Sequence, residues 1–120
     1  MIIKQGSVSV SAKLIHDLRL AIVKGDYPPG SQFPPTRALA VSYGINPNTV
    51  QKAMTVLEEE GLLINRGTVG RFVTENAETV AATHRALKES YMRLALKEAR
   101  AMGISEAEFI EFIKESEETS

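Results

Sequence analysis

The stretch I-N-P-N-T-V-Q-K-A-M-T-V-L, Ile45 to Leu57, decides how the rest of the chain is read. Asn46 is a good N-cap, its side-chain oxygen able to accept an N–H from the first turn, and Pro47 follows at the first helical position, where no donor is missed. The pair predicts a helix with a sharply defined start. Val50, Ala53, Met54 and Leu57 fall at i, i+3, i+4 and i+7 and make one apolar stripe to be held against a core. Opposite the stripe lie Asn48, Thr49, Gln51 and Lys52. Three uncharged side chains that both donate and accept, plus a cation, crowded into the first turn and a half, are the chemistry of base-edge and phosphate contact. Four polar residues on a helix are ordinarily a solvated face, so the surrounding elements decide between the two readings.

Upstream, the pattern T-R-A-L-A-V-S-Y predicts a helix from near Pro35 or Thr36 to about Tyr43, burying Leu39 and Ala40, with Gly44 ending it. Helix, short turn and a second helix with a polar first turn is the helix-turn-helix arrangement. Downstream, Glu58, Glu59, Glu60 and Gly61 close the second helix. L-L-I-N, R-G-T-V-G and R-F-V-T then read as strand, turn and strand, with Gly67 and Gly70 free to take positive φ at the tip of a wing. The hairpin arginines Arg66 and Arg71 are each as readily solvated residues as contacts, and Arg66, beside the tip, is the better phosphate or minor-groove candidate of the two. Further upstream, Leu14, Leu18, Ala21 and Ile22 predict a helix over about Ser11–Lys24, with Gly25 as its left-handed cap. Four prolines and two glycines in G-D-Y-P-P-G-S-Q-F-P-P make the next eleven residues a rigid connector, anchored by Tyr27 and Phe33. Residues 1–10 alternate weakly and read as an extended arm.

The back of the chain is different. From Ala77 to Met102 there is no proline or glycine, and Val80, Leu87, Leu94 and Ala101 recur every seven residues, interleaved with His84 and Tyr91. This is a helical seam. A second stripe, Met92, Leu96, Ala99 and Met102, lies on another face. Gly103 stops the helix, Ser105 and Glu108 form a capping box, and Phe109, Ile110, Phe112 and Ile113 give a wide apolar face to about Glu115, before an acidic, fraying end at Glu117 and Glu118. Two such helices have too little mutual surface to hide all of this. The surplus predicts a two-fold homodimer in which Val80, His84, Leu87, Tyr91, Leu94, Phe109, Phe112 and Ile113 face the partner. A dimer would read half-sites about one DNA turn apart, or a multiple of it, in a near-palindromic operator.

The expected fold is therefore mainly α with a small β-hairpin: a winged helix-turn-helix domain over residues 1–75 and a two-helix dimerisation region over 76–120. Charge follows the same division. Residues 1–74 carry eight Lys/Arg against five Asp/Glu, a balance of +3, and the remainder carry six against ten, giving −4 and the net −1. The front part suits a polyanion and the back part does not. With no cysteine, two histidines (His16 and His84) and no paired carboxylate motif, neither a disulfide framework nor a zinc site is predicted, and no cofactor is implied. His84 on the seam reads as an interface residue, and Met92 and Met102 as gap-filling core. There is no apolar run of membrane-spanning length and no signal peptide, which points to the cytoplasm. A nucleophile, base and orienter set is also lacking, which argues against an enzyme.

The ordered series L-x-x-x-L-x-x-x-I-x-x-G-x-Y-x-P-G from Leu14 to Gly30, F-P-P-T-R-A-L-A, N-P-N-T-V-Q-K-A, L-E-E-E-G-L-L and V-G-R-F-V resembles the GntR family of transcription regulators over residues 10–74, and with so short a C-terminal part most resembles its YtrA-like branch. The resemblance implies a double-stranded DNA operator as partner, repression, and a two-helix dimerisation element. Carried over by position, it implies a phosphate grip by Arg37, base readout by Asn46, Asn48, Thr49 and Gln51, and wing-tip contact at Gly67 and Thr68; Lys52 and Arg66 join them from the reading of the residues above. Family members often have arginine where this chain has Pro47 and Gln51, so readout is expected to depend on amides rather than guanidinium forks. They usually have serine where this chain has Pro35, and losing that cap costs about 1 kcal/mol unless Thr36 or water substitutes. A small-molecule effector shifting the spacing of the recognition helices would be a further partner. A winged-helix module that binds protein without reading DNA is the alternative.

Overall fold

The computed structural model describes residues 9–119, so the arm expected over the first residues lies outside the described part except for Ser9 and Val10, which cap and begin the first helix. The order is α1 (Val10–Val23), α2 (Thr36–Tyr43), α3 (Pro47–Glu59), β1 (Leu63–Asn65), a 3-10 turn (Gly67–Val69), β2 (Arg71–Val73), α4 (Ala77–Ala101) and α5 (Glu106–Thr119). The chain forms two compact units, one up to His84 and one from Arg85 onward, so α4 begins in the first and continues through the second.

In the first unit, α1 starts where Ser9 accepts the Ala12 N–H at 3.0 Å and buries Leu14, Leu18 and Ile22, one residue per turn. α2 ends at Gly44, whose φ of 66° turns the chain left-handed; the following Ile45 N–H reaches back to the Ala40 carbonyl at 3.1 Å. That tight exit lets α3 begin two residues later. Asn46 caps it by accepting the Asn48 N–H at 2.7 Å, Pro47 stands at its start, and Val50, Ala53, Met54 and Leu57 are all 0% exposed. Around that stripe pack the buried faces of α1 and α2, with Phe33, Leu62, Leu63 and Val73.

β1 and β2 pair antiparallel with Leu63 opposite Val73, Ile64 opposite Phe72 and Asn65 opposite Arg71. The connector does more than bridge α1 and α2. Gly30 donates to the Val73 carbonyl (2.9 Å), Val73 donates to Ser31 (2.9 Å) and Phe33 donates to Arg71 (2.8 Å), so residues 30–33 lie along the outer edge of β2. The pairing stretch is bounded by Pro28 and Pro29 on one side and Pro34 and Pro35 on the other, which have no N–H to continue it. Tyr27 and Phe33 pack ring to ring at 4.7 Å, anchoring the connector into the core.

Thr36 does not substitute for the missing cap of α2. Pro35 supplies no side-chain cap, and the Thr36 hydroxyl goes instead to Gln51, 15 residues away. α4 is capped by Asn76, which accepts the N–H groups of Glu78 and Thr79, and its Val80 packs against the core of the first unit.

In the second unit, the end of α4 and α5 meet through a turn at Gly103. The Ser105–Glu108 capping box forms in both directions: Glu108 N–H to Ser105 Oγ at 3.1 Å and Ser105 N–H to Glu108 Oε1 at 3.0 Å. Ala99 is buried and Phe109 half-buried, while α5 runs past Glu115 to Thr119.

Candidate nucleic-acid interface

The first turn of α3 has its apolar stripe sealed in the core, which fixes the rotation of the helix and turns Asn48, Gln51 and Lys52 outward. Thr49 is half-buried at the edge. Asn46 has its carboxamide oxygen committed to the Asn48 N–H, so the role the structure gives it is to hold the helix start. Arg37, on the first turn of α2, is exposed and makes no ion pair or hydrogen bond among the described residues. It lines a cleft whose other wall is the wing turn, Thr68, Val69 and Gly70, with Pro35 and Thr36 between.

The wing tip is held from three sides. Asn65 Oδ1 accepts the Gly67 N–H at 2.9 Å, Gln32 Nε2 donates to the Val69 carbonyl at 3.0 Å, and the Arg66 guanidinium lies over the Phe72 ring at 5.4 Å. Gly70, with φ of 115°, allows the Gln32 contact, since a Cβ there would stand 2.9 Å from Gln32 Nε2. Thr68 stays exposed at the tip.

A polar network joins wing and helix. Arg71 pairs with Glu58, which also accepts from Asn65 Nδ2 at 3.2 Å; Arg71 Nη1 donates to Thr36 Oγ1 at 3.4 Å, and the Thr36 hydroxyl donates to Gln51 Oε1 at 3.1 Å. Arg71 therefore has a defined partner and is not a solvated hairpin residue. Glu60 is paired with Arg19 of α1, and this hydrogen-bonded carboxylate raises the Arg19 pKa still further above its ordinary value, against the opposing effect of burial. Two of the three glutamates at the end of α3 are thus neutralised by arginines of other elements, which limits their repulsion of a nearby polyanion.

The residues predicted for DNA contact divide accordingly. Arg37, Asn46, Asn48, Gln51, Lys52, Arg66, Gly67 and Thr68 are exposed in the winged-helix unit, Asn46 with its side-chain oxygen committed to capping, and Thr49 is half-buried. Thr36, Glu58, Asn65 and Arg71, which position them, were not among the predicted residues. No sequence signal identifies such partners, because each bond joins separate elements. Of the seam residues, Val80 is taken up by the first unit. Tyr91, Leu94, Phe112 and Ile113 remain about half exposed or more, His84 is exposed, and Leu87 and Phe109 are half-buried.

Comparison with known proteins agrees with this architecture. Residues 10–73 match the model of the bacterial regulatory proteins of the gntR family. The chain is 32% identical over 113 residues to the HTH-type transcriptional repressor YtrA of Bacillus subtilis, covering 92% of this chain and 86% of that one. It is 26% identical over 110 residues to the HTH-type transcriptional regulator YhcF of the same organism, covering 92% and 91%. A GntR family transcriptional regulator from Listeria monocytogenes superposes with a TM-score of 0.82 at 26% identity, covering 93% of this chain and 98% of its own. A winged helix-turn-helix with these motifs in this order, matched to relatives over nearly its whole length, belongs to the GntR family of DNA-binding transcription regulators.

Proposed function

We propose that this chain acts as a homodimeric repressor that seats its two α3 helices in successive major grooves of a near-palindromic operator and excludes polymerase by occupying the promoter. The observation that carries the reading is the pairing of faces on α3: a stripe at 0% exposure beneath an exposed Asn48, Gln51 and Lys52. A helix gripped so firmly presents its polar turn in one orientation, as groove recognition needs. Arg37 and Lys52 serve phosphates, Asn48, Thr49 and Gln51 serve base edges, Asn46 holds the helix start for them, and Arg66, Gly67 and Thr68 place the wing against the adjacent backbone. Repression is favoured by the name of the relative YtrA, a transcriptional repressor aligned over most of both chains.

The dimer is supported by apolar surface left open in the second unit, including Tyr91 at 50%, Leu94 at 54% and Phe112 at 65% exposure. Because Val80 is engaged elsewhere, the partner-facing seam starts near His84 and Leu87 and continues through Tyr91, Leu94, Phe109, Phe112 and Ile113. The protein works in the cytoplasm and without catalysis; no helix among the described residues is long and apolar enough to cross a membrane. A small-molecule effector would act by altering the spacing of the two recognition helices, and thermal shifts across a metabolite panel would reveal one.

Replacing Asn48 and Gln51 together by Ala tests the reading. Operator discrimination falls by roughly 1–3 kcal/mol for each bidentate base pairing removed, while the melting temperature is unchanged. Unaltered site preference in the double variant would show that Asn48 and Gln51 do not read the bases, and a wild type that selects no sequence would instead indicate a winged-helix module that binds protein. In the wild type, affinity falls steeply with salt as phosphate contacts release counterions.

A further inference from the structure

The Gln51 carboxamide is not free to choose its orientation. Its Oε1 accepts the Thr36 hydroxyl at 3.1 Å, and Thr36 Oγ1 in turn accepts from Arg71 Nη1 at 3.4 Å. Arg71 also donates to the Glu58 carboxylate, so donation runs outward from the guanidinium, to Glu58 on one side and through the Thr36 hydroxyl to the Gln51 amide on the other. A guanidinium can only donate, which directs the Thr36 proton away from it and toward an acceptor. The acceptor end of Gln51 therefore faces Thr36, and the Nε2 amino group is the end turned to the exposed side of α3.

Glutamine ordinarily reads adenine by two bonds at once, accepting from N6 with its oxygen and donating to N7 with its nitrogen. With the oxygen turned toward Thr36, the donor half is the end presented outward. Guanine offers two acceptors, O6 and N7, on the same edge and no major-groove donor. We infer that Thr36 is a specificity-determining residue that sets Gln51 as a donor, so that Gln51 reads guanine rather than adenine. This rests on the proposed role of Gln51 at the operator. Thr36 acts as a positioning residue: it touches Gln51, not the base.

Site selection from a randomised half-site library with the full chain tests it. The base pair that Gln51 reads is the one whose preference disappears in Gln51→Ala. In the wild type that pair is G·C by about tenfold over A·T, and 7-deazaguanine, which lacks the N7 acceptor, weakens binding when placed there. Thr36→Val and Thr36→Ala, two ways of removing the hydroxyl, move the preference to A·T, and Thr36→Ser retains G·C. Affinity for non-specific duplex and the melting temperature stay constant across the series, which a merely structural role would not predict. An A·T preference in the wild type, no effect of 7-deazaguanine, or an unchanged profile in both hydroxyl-deleting variants would overturn the inference. If Gln51→Ala alters no pair while operator binding persists, the assignment of Gln51 fails and the proposed regulator stands. If the wild type selects no sequence at all, both fail.

Discussion

α3 and α4 are both amphipathic, yet α3 has Val50, Ala53, Met54 and Leu57 all at 0% exposure, whereas α4, with 25 residues against 13, buries only Ala99 in the single chain. On α3 the apolar stripe meets α1, α2 and the base of the wing, and the polar face is left for another molecule. On α4 and α5 it is the apolar face that remains open, with Tyr91, Leu94, Phe112 and Ile113 about half exposed or more. One helix is completed by its own fold, and the other keeps an exposed apolar face, which the proposed dimer would cover. The difference separates two kinds of recognition. A polar face on a rigid core suits sequence readout, where geometry carries the information. An apolar face with little core beneath it suits self-association, where burial supplies the driving force.

The contrast between the two helices is tested most directly in the core. Leu57→Ala removes a fully buried side chain and lowers stability by about 3 kcal/mol in urea unfolding, whereas Leu94→Ala, at 54% exposure, changes it by less than about 0.5 kcal/mol when the protein is dilute. Equal losses at both positions would erase the distinction. On the proposed dimer, a charge on the exposed face, Phe112→Asp, is expected to yield a monomer in sedimentation and to weaken operator binding at least tenfold, since a dimer would grip two half-sites and a monomer one. The wild-type melting temperature is then expected to rise with protein concentration and that of the variant to stay constant.

Smaller changes probe α3 and its neighbour α2. Asn46→Ala removes the cap and costs about 1 kcal/mol by denaturant unfolding, and operator affinity falls with it because the first turn frays. A retained affinity would show that Pro47 alone defines the helix start. The smallest effect is at Tyr43 in α2, whose pKa is raised from 10.0 by desolvation first, then by the nearby Asp17 and Tyr27. The unfolded chain loses that proton at a lower pH than the folded one. Tyr43 therefore contributes to stability fully below pH 10, and the contribution is lost as pH rises from there through the folded pKa. At 42% exposure the effect is slight, and Tyr43→Phe is expected only to flatten the alkaline end of the stability profile.

Much of the fold was legible because its signals are local. Asn46 and Pro47 mark the start of α3, Gly44 ends α2 with positive φ, and Ser105 with Glu108 caps α5; each acts within about one helical turn. The connector was harder to read. Its prolines forbid a helix and the middle of a sheet, but they do not say that residues 30–33 will find the edge of β2. At the candidate interface, the faces were legible and the bonds between elements were not. Asn46 was legible as the cap, and its 2.7 Å bond from the Asn48 N–H agrees, but nothing in the sequence marks Glu58 as the shared partner of Arg71 and Asn65.

Periodicity and capping specify the helices and strands, the face of each that seeks burial, and the residue types available to meet DNA. All of this is written in the order of residues, because the physics of both signals reaches three or four positions along the chain. Only the packing of the elements makes Arg71 pair with Glu58, lets Thr36 turn the Gln51 amide, and assigns Val80 to the first unit instead of the open seam. The reason is physical: a side chain's partner depends on which elements the core draws together. Thr36 and Gln51 meet because α2 and α3 share one core, and 15 residues of separation along the chain carry no sign of it.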